Sequence, residues 1–328
     1  MKIAVVGLGA VGGLMAARLA HAGHSVSALT RGATLAAVRQ HGLRLSTGDQ
    51  IIDSAIVASD DASALGPQEL IIIALKGPAL ASATQALQPL LGPRTLVMPA
   101  MNGVPWWFLQ TAPASVELAD RQLASIDPDG RIARLLPIES VLGCVVHLTC
   151  SSPQPGRIRH GFGDRLIVGE PAGGGSERVE AVCAALAQAG FKCEASTDVR
   201  RDIWYKLWGN MTVNPISALT GATTDRILDD PLVHAFILRA MEEAARIGAR
   251  IGCPITQSGP ERMSVTRELG AFKTSMLQDA LAGRTLELDA LVGAVHEIGA
   301  LLTIDTPNIG ALLGLTRLMA RERGLYPG

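Results

Sequence analysis

The chain opens MKIAVVGLGAVGGLMAARLA, and the spacing of its first glycines is its strongest constraint. Residues 2–6 form a β-branched apolar run that reads as a buried strand. Gly7-Leu8-Gly9-Ala10-Val11-Gly12 follows at once, and Leu14 to Ala20 continues as a helix stopped by Gly23. Ser25 to Leu29 reads as a second strand. A basic residue ahead of an apolar run also begins secretion signals, but a signal requires neither glycines at this spacing nor a strand straight after a helix. A turn that receives a pyrophosphate requires both. Gly7 makes the tight turn, Gly9 lets the backbone approach the phosphates, Gly12 lets helix and strand pack closely, and the N–H groups of the helix N-terminus face the anion. The segment Gly7, Leu8, Gly9, Ala10, Val11 and Gly12 is therefore expected to bind a nicotinamide dinucleotide.

The end of the second strand predicts which dinucleotide. A site for NAD usually carries Asp or Glu there, to bind the ribose 2′-hydroxyl. Here the strand ends Leu29-Thr30-Arg31-Gly32. A carboxylate would repel a 2′-phosphate, whereas the Arg31 guanidinium can bind it through two parallel bonds. The expected cofactor is NADP(H), against the plainer alternative of a solvated loop arginine.

Further strand signals lie at 70–75, 95–98, 139–149 and 156–169, a helix at 177–189, and a short strand in FKCEA. Beyond about residue 197 strand signals cease and apolar residues recur at helical spacing. The reading is an α/β chain: a Rossmann-type N-terminal domain, residues 1–195, joined to an all-helical C-terminal domain, residues 196–328. Residues 111–135, polar and carrying a DPDG turn, read as a surface insertion. A net charge of −1 carries no nucleic-acid or membrane signature, and no apolar run reaches transmembrane length. The five cysteines are dispersed without a C-x-x-C pair, which suits a reducing cytoplasm, and they read as small buried hydrophobes. The seven histidines show no paired ligand spacing, so no metal is expected.

Only Lys2, Lys76, Lys192, Lys206 and Lys273 are lysines among the 29 basic residues. Arginine does not give up its proton in a protein, whereas lysine can, so each retained lysine is a candidate for chemistry. Lys206, Asn210 and Asn214 are spaced i, i+4, i+8, which puts them in one row on a helix, beside a packed stripe of Trp204, Leu207, Trp208 and Met211. Pro215 biases Asn214 out of helical geometry and predicts the helix end there. Alone, this row could equally be a solvated face. A second segment runs from Thr274 to Asp289, breaks at Gly283 and restarts as a helix near 285, with Glu287 on its apolar side. A carboxylate so placed needs a partner, and Lys206 is the natural candidate. A structural ion pair, or a first-turn glutamate favoured by the helix dipole, remains the alternative. Ser275 could cap a helix through its Ser-x-x-Gln spacing.

Taken together these stretches resemble the ketopantoate reductases, or 2-dehydropantoate 2-reductases, over nearly the whole chain. The resemblance rests on the GLGAVG turn, Arg31-Gly32, Lys76 after an apolar strand, MNG at 101–103, the K-x-x-x-N-x-x-x-N-P row at 206–215, and SMLQD…GRTLELD at 275–289. It implies NADPH-dependent reduction of 2-dehydropantoate to (R)-pantoate, a step toward pantothenate and coenzyme A. It further implies that Lys206 is the catalytic lysine and that Asn210 and Asn214 orient the substrate. Asn102 would lie near the nicotinamide, Lys76 on the cofactor side, and Ser275 and Glu287 against the substrate. The chain departs from the family pattern at Thr224 and Phe272, where asparagines are common, and in a longer stretch after Asn102.

Those departures keep a second branched 2-oxo acid open as the substrate. A non-catalytic NADP-binding sensor would need the glycine turn but not Lys206 and Glu287 together. The expected partner is a small 2-oxo acid. Long apolar helices in the second half fit either a homodimer interface or a monomer core.

Overall fold

The computed structural model describes residues 1–327, with the backbone alone at Pro78. It divides into two compact units, Met1–Met101 with Gly130–Val199, and Asn102–Asp129 with the chain from Arg200 onward. The sequence predicted a single division after residue 195; the stretch 102–129 instead groups with the second unit.

The strands of the first unit are β1 (Lys2–Val6), β2 (Ser25–Leu29), β3 (Leu43–Thr47), β4 (Gln50–Ser54), β5 (Val57–Ser59), β6 (Leu70–Ile73), β7 (Leu96–Pro99), β8 (Gly143–His147), β9 (Cys150–Gln154), β10 (Arg157–His160), β11 (Arg165–Gly169) and β12 (Lys192–Ser196). A parallel sheet has the order β5-β2-β1-β6-β7. Its central strands bury both faces, which is why β6 reads as an unbroken LIII rather than an alternating pattern. The order reverses between β1 and β6, and ligands of open α/β sheets bind at such a point, beyond the carboxyl ends of the strands. A second sheet runs β4-β3-β10-β9 and a third β12-β11-β8; a parallel bridge between Val97 and Val141 connects β7 to the chain entering β8.

The helix Ala10–His21 buries Gly12 through Ala17 and Leu19, because it packs against both the first sheet and the second. A side chain at Gly13 would come 2.5 Å from the end of Ile158 on β10, so the double glycine serves two neighbours at once. The sequence did not foreshadow β3, β4 and β5, which are short and largely polar. The predicted strand signal over 156–169 resolves into β10 and β11, separated at Gly161–Asp164.

The second unit is built on the helices Val199–Thr220, Thr224–Asp229, Pro231–Arg250, Gly259–Arg267, Ser275–Leu281, Ala294–Leu301 and Pro307–Glu322, with a π-helical turn over Asp289–Gly293. No helix among the described residues is long and apolar enough to cross a membrane. The predicted helix end at Asn214 is corrected: the helix passes through Pro215 to Thr220. The proline removes one amide donor, but every residue from Met211 to Ala218 is buried, so packing holds the helix on. Gly221, at φ +76°, then ends it.

The expected surface insertion, residues 111–135, is largely exposed or half-buried but anchored, with Leu123, Asp127 and Ile132 buried. Just before it Trp106, Trp107, Phe108 and Leu109 are buried, and Phe108 stacks on Trp204 with ring centroids 6.0 Å apart. Buried Arg200 donates to the carbonyls of Phe108 (2.8 Å) and Ile251 (2.9 Å). Glu297 accepts from the amides of Ala124 and Ser125 at 2.7 and 2.8 Å, and Arg250 pairs with Glu117. The aromatic cluster, not the polar composition downstream, decides where this stretch belongs.

Glu243, 3% exposed, accepts from the Asn308 amide and side chain (3.0 and 2.6 Å) and from the Ile309 amide (2.9 Å), at the start of the helix Pro307–Glu322. It closes amides that no N-cap side chain reaches. Replacing Glu243 by Ala leaves the buried Ile309 amide and the half-buried Asn308 amide without this acceptor and should cost about 3 kcal/mol, lowering the thermal midpoint by roughly 6–12 °C. A midpoint within about 2 °C of the parent protein, read by calorimetry, would remove Glu243 from this role.

Candidate active site

Three loops of the first unit meet at the carboxyl edge of the parallel sheet, after β1, β2 and β6. The register pairs Val6 with Leu29 and with Ile73, so Gly7, Thr30 and Ala74 leave the sheet side by side. Gly7, at φ +89°, lies against Ala74 and Leu75, where an added Cβ would be 2.9 Å from the Ala74 carbonyl oxygen. At Gly12 a Cβ would be 2.9 Å from that of Ala74 and would collide with the Gly7 carbonyl. At Gly9, by contrast, a Cβ would meet nothing within 4 Å. Two glycines are thus demanded by the protein's own packing, and the third faces open space where a ligand would lie. The turn therefore has the room that a dinucleotide pyrophosphate needs.

Capping points the same way. The helices Ala10–His21, Gly32–His41 and Gly77–Thr84 begin at Gly9, Arg31 and Lys76, and none of these N-cap residues caps with its side chain. Ser176, Asp230, Ser258 and Thr274 cap their helices, whereas Thr223 and Thr306 in the second unit do not. First-turn amides without a capping side chain, gathered at one sheet edge, make an environment for phosphates. Arg31 is exposed there and Lys76 half-buried.

In the second unit, the helix Val199–Thr220 carries Lys206 and Asn210, both half-buried, and Asn214, 7% exposed, on one row. The Lys206 ammonium donates to Asn102 Oδ1 at 2.7 Å. Asn102 is thus held beside the lysine within one unit. Its turn is fixed by Gly103, at φ +88°, where a Cβ would come 2.5 Å from the Ala290 carbonyl oxygen, and by a 2.9 Å bond from the Val104 amide to that oxygen. Ala290 lies in the π turn, an irregularity that often marks functional sites. Asp289, first in that turn, accepts from the Tyr326 hydroxyl at 2.5 Å; burial, and then this carboxylate, push the phenol up to about 12.

Glu287 is corrected in placement. It precedes the helical turns rather than lying within them, half-buried between the fully buried Leu286 and Leu288. Ser275 is also corrected as a cap: Thr274 takes that role, accepting from the Leu277 amide at 3.2 Å, and Ser275 is the exposed first residue of the helix. The departures Thr224 and Phe272 meet each other. The Thr224 amide donates to the Phe272 carbonyl (3.0 Å), its hydroxyl donates to the Gly270 carbonyl (2.5 Å), and the Phe272 amide donates back to that hydroxyl (3.3 Å). Sequence reasoning missed this clamp, and it missed the Lys206–Asn102 bond. The MNG triplet signalled the second only through Gly103, whose positive φ brings the turn against the π segment.

The glycines predict a contrast between two substitutions. Gly12→Ala forces the helix off the Gly7 carbonyl and should cost ~1–3 kcal/mol or more, a clear drop in thermal midpoint without ligand. Gly9→Ala should leave that midpoint unchanged yet weaken binding of a reduced nicotinamide dinucleotide at least tenfold by fluorescence titration. Equal midpoint losses for the two variants would refute the assignment of open space to Gly9.

Residues 3–173 match the family described as ketopantoate reductase PanE/ApbA, and residues 198–320 match its C-terminal domain. The 2-dehydropantoate 2-reductase of Mesorhizobium japonicum is 41% identical over 327 residues, which cover 99% of this chain and 100% of that one. A crystal structure from Ralstonia solanacearum MolK2, of a protein provisionally named a ketopantoate reductase, is 56% identical, with a TM-score of 0.95 and 99% of each chain covered. D-Mandelate dehydrogenase with NADH and anilino(oxo)acetate shares the fold at 19% identity and a TM-score of 0.85, covering 99% of this chain and 100% of that one. On the matches to both of its domains and the full-length identity, this chain belongs to the ketopantoate reductase family.

Proposed function

We propose that the protein is an NADPH-dependent reductase that converts 2-dehydropantoate to (R)-pantoate, with Lys206 as its proton donor. The observation that carries the proposal is the Lys206 ammonium held at 2.7 Å by Asn102. Reducing a ketone places negative charge on the carbonyl oxygen, and a positioned ammonium both stabilises that charge and supplies the proton. NADPH, when bound, supplies the hydride. An ammonium has three donors, so holding one on Asn102 is compatible with aiming another at the substrate oxygen. Asn210 and Asn214, one and two turns further along the helix, orient the substrate. Ser275, at the start of its helix, contacts the substrate carboxylate, and Glu287 accepts from a substrate hydroxyl.

The glycine turn of Gly7 to Gly12 takes the pyrophosphate, and Arg31 with the uncapped helix behind it takes the 2′-phosphate. Lys76, heading the next helix of the same sheet edge, adds positive charge to the cofactor side. The family relationship supports the reaction class; the preference for NADPH over NADH rests on Arg31 and on the absence of an acid after β2.

A second reading, reduction of another branched 2-oxo acid, draws on the Thr224–Phe272 clamp. There the threonine hydroxyl is spent on backbone carbonyl and amide groups, where the family commonly has an amide side chain. A panel of 2-oxo acids assayed with NADPH at saturating cofactor separates the two readings: the proposal requires the highest kcat/KM on 2-dehydropantoate.

Lys206→Ala should lower kcat by about 10²–10⁴-fold with NADPH affinity retained; near-parental turnover would take Lys206 out of the reaction. Arg31→Ala should raise KM for NADPH at least tenfold while leaving KM for NADH within about twofold, since the lost bidentate contact has no counterpart in NADH. Equal changes for both cofactors would count against the 2′-phosphate role.

A further inference from the structure

We propose that Cys183 and Cys193 are a redox-modifiable dithiol that a peroxide closes to an intramolecular disulfide. In this chain without C-x-x-C spacing, folding brings two of the cysteines together. Cys183 lies on the helix Glu177–Gln188 and Cys193 on β12, which that helix packs against. Their sulfur atoms are 3.1 Å apart, with the Cys193 thiol donating to Cys183. Both are free thiols and both are half-buried, so a small oxidant can reach them. A disulfide requires about 2.05 Å, so closure asks for about 1 Å of approach between two elements joined by a short turn.

The pair is asymmetric in the way such chemistry uses. The hydrogen bond from Cys193 favours the thiolate at Cys183 and lowers its pKa against the opposing effect of burial. The same bond, then burial, raises that of Cys193. Cys183 is accordingly the nucleophile. Its thiolate attacks hydrogen peroxide, giving a sulfenic acid and hydroxide. The Cys193 sulfur then attacks the sulfenic sulfur, forming the S–S bond, losing its proton and releasing water. The two thiols are oxidised by two electrons while one peroxide is reduced to two waters.

The bridge would close the loop from residue 183 to 193, which the glycine-turn helix already grips. Arg18 donates to the Gly190 carbonyl at 3.2 Å and stands 4.8 Å over the Phe191 ring. Oxidation therefore ties down the segment on which the helix Ala10–His21 is anchored.

The test uses the intact wild-type protein treated with a small molar excess of hydrogen peroxide and then blocked with an alkylating agent. Trypsin cuts after Arg178, Lys192 and Arg200, so the two cysteines fall in separate peptides, 179–192 and 193–200. The expected result is a joined peptide two hydrogens lighter than the sum of its parts and split by dithiothreitol. Titratable thiols under denaturing conditions should fall from five to three. The thermal midpoint should rise by about 5 °C and return on reduction, since cross-linking restricts the unfolded chain. Retention of all five thiols, a bridge to Cys144 instead, Cys183 sulfinic acid without a bridge, or a lowered midpoint would each overturn the proposal.

Discussion

The approach of the helix Ala10–His21 to the carbonyl of Gly7 is the constraint from which the first unit follows. Only hydrogen fits at Gly12 and only a positive φ fits at Gly7. Because the helix can come that close, its N-terminus sits at the sheet's switch point, and the space beside Gly9 stays open. The other side of the helix is equally confined, since Gly13 admits Ile158 from the second sheet. The first sheet, the helix and the second sheet form a stack in which a single methyl group would be felt, as expected of close-packed interiors. At the N-cap Gly9, by contrast, a side chain would meet open space.

The second unit uses a different device. The segment 102–129 supplies contacts that fix the helix Val199–Thr220. It brings Phe108 to Trp204, places its carbonyl on buried Arg200, and offers amides to Glu297. Trp204 and Lys206 are two residues apart on one helix, so the aromatic stack that seats the segment also sets where the lysine emerges. The same segment begins with Asn102, the lysine's acceptor. One stretch of chain therefore orients the helix and holds the ammonium.

Four of the five strands of the parallel sheet, β1, β2, β6 and β7, were legible because their signals are local: short apolar runs, the glycine spacing after β1, Arg31-Gly32 after β2 and Lys76 after β6. The Lys206 row was legible because helical periodicity is independent of context. What was not legible depends on contacts distant in sequence. The polar appearance of residues 111–135 concealed that their part up to Asp129 belongs to the helical unit, because the buried aromatics at 106–108 precede it. Pro215 signalled a helix end that burial of its neighbours overrides. Glu287 looked helical by spacing, yet a π turn begins only at Asp289. The cysteines looked dispersed because ten residues of sequence separation conceal a turn that brings Cys183 and Cys193 together.

The Thr224–Phe272 clamp shows how a departure from a family pattern acquires physical meaning. Thr224 is 1% exposed and its hydroxyl both donates to Gly270 and accepts from Phe272. A threonine so placed closes the chain segment that runs on to Thr274, the cap of the helix that begins at Ser275. An amide side chain at 224 would have a longer reach and a second donor, and the segment could then be held while a polar group was still presented outward. With threonine the hydroxyl's donor is committed to the backbone. The loop is held, and polarity is withdrawn from whatever lies beyond it.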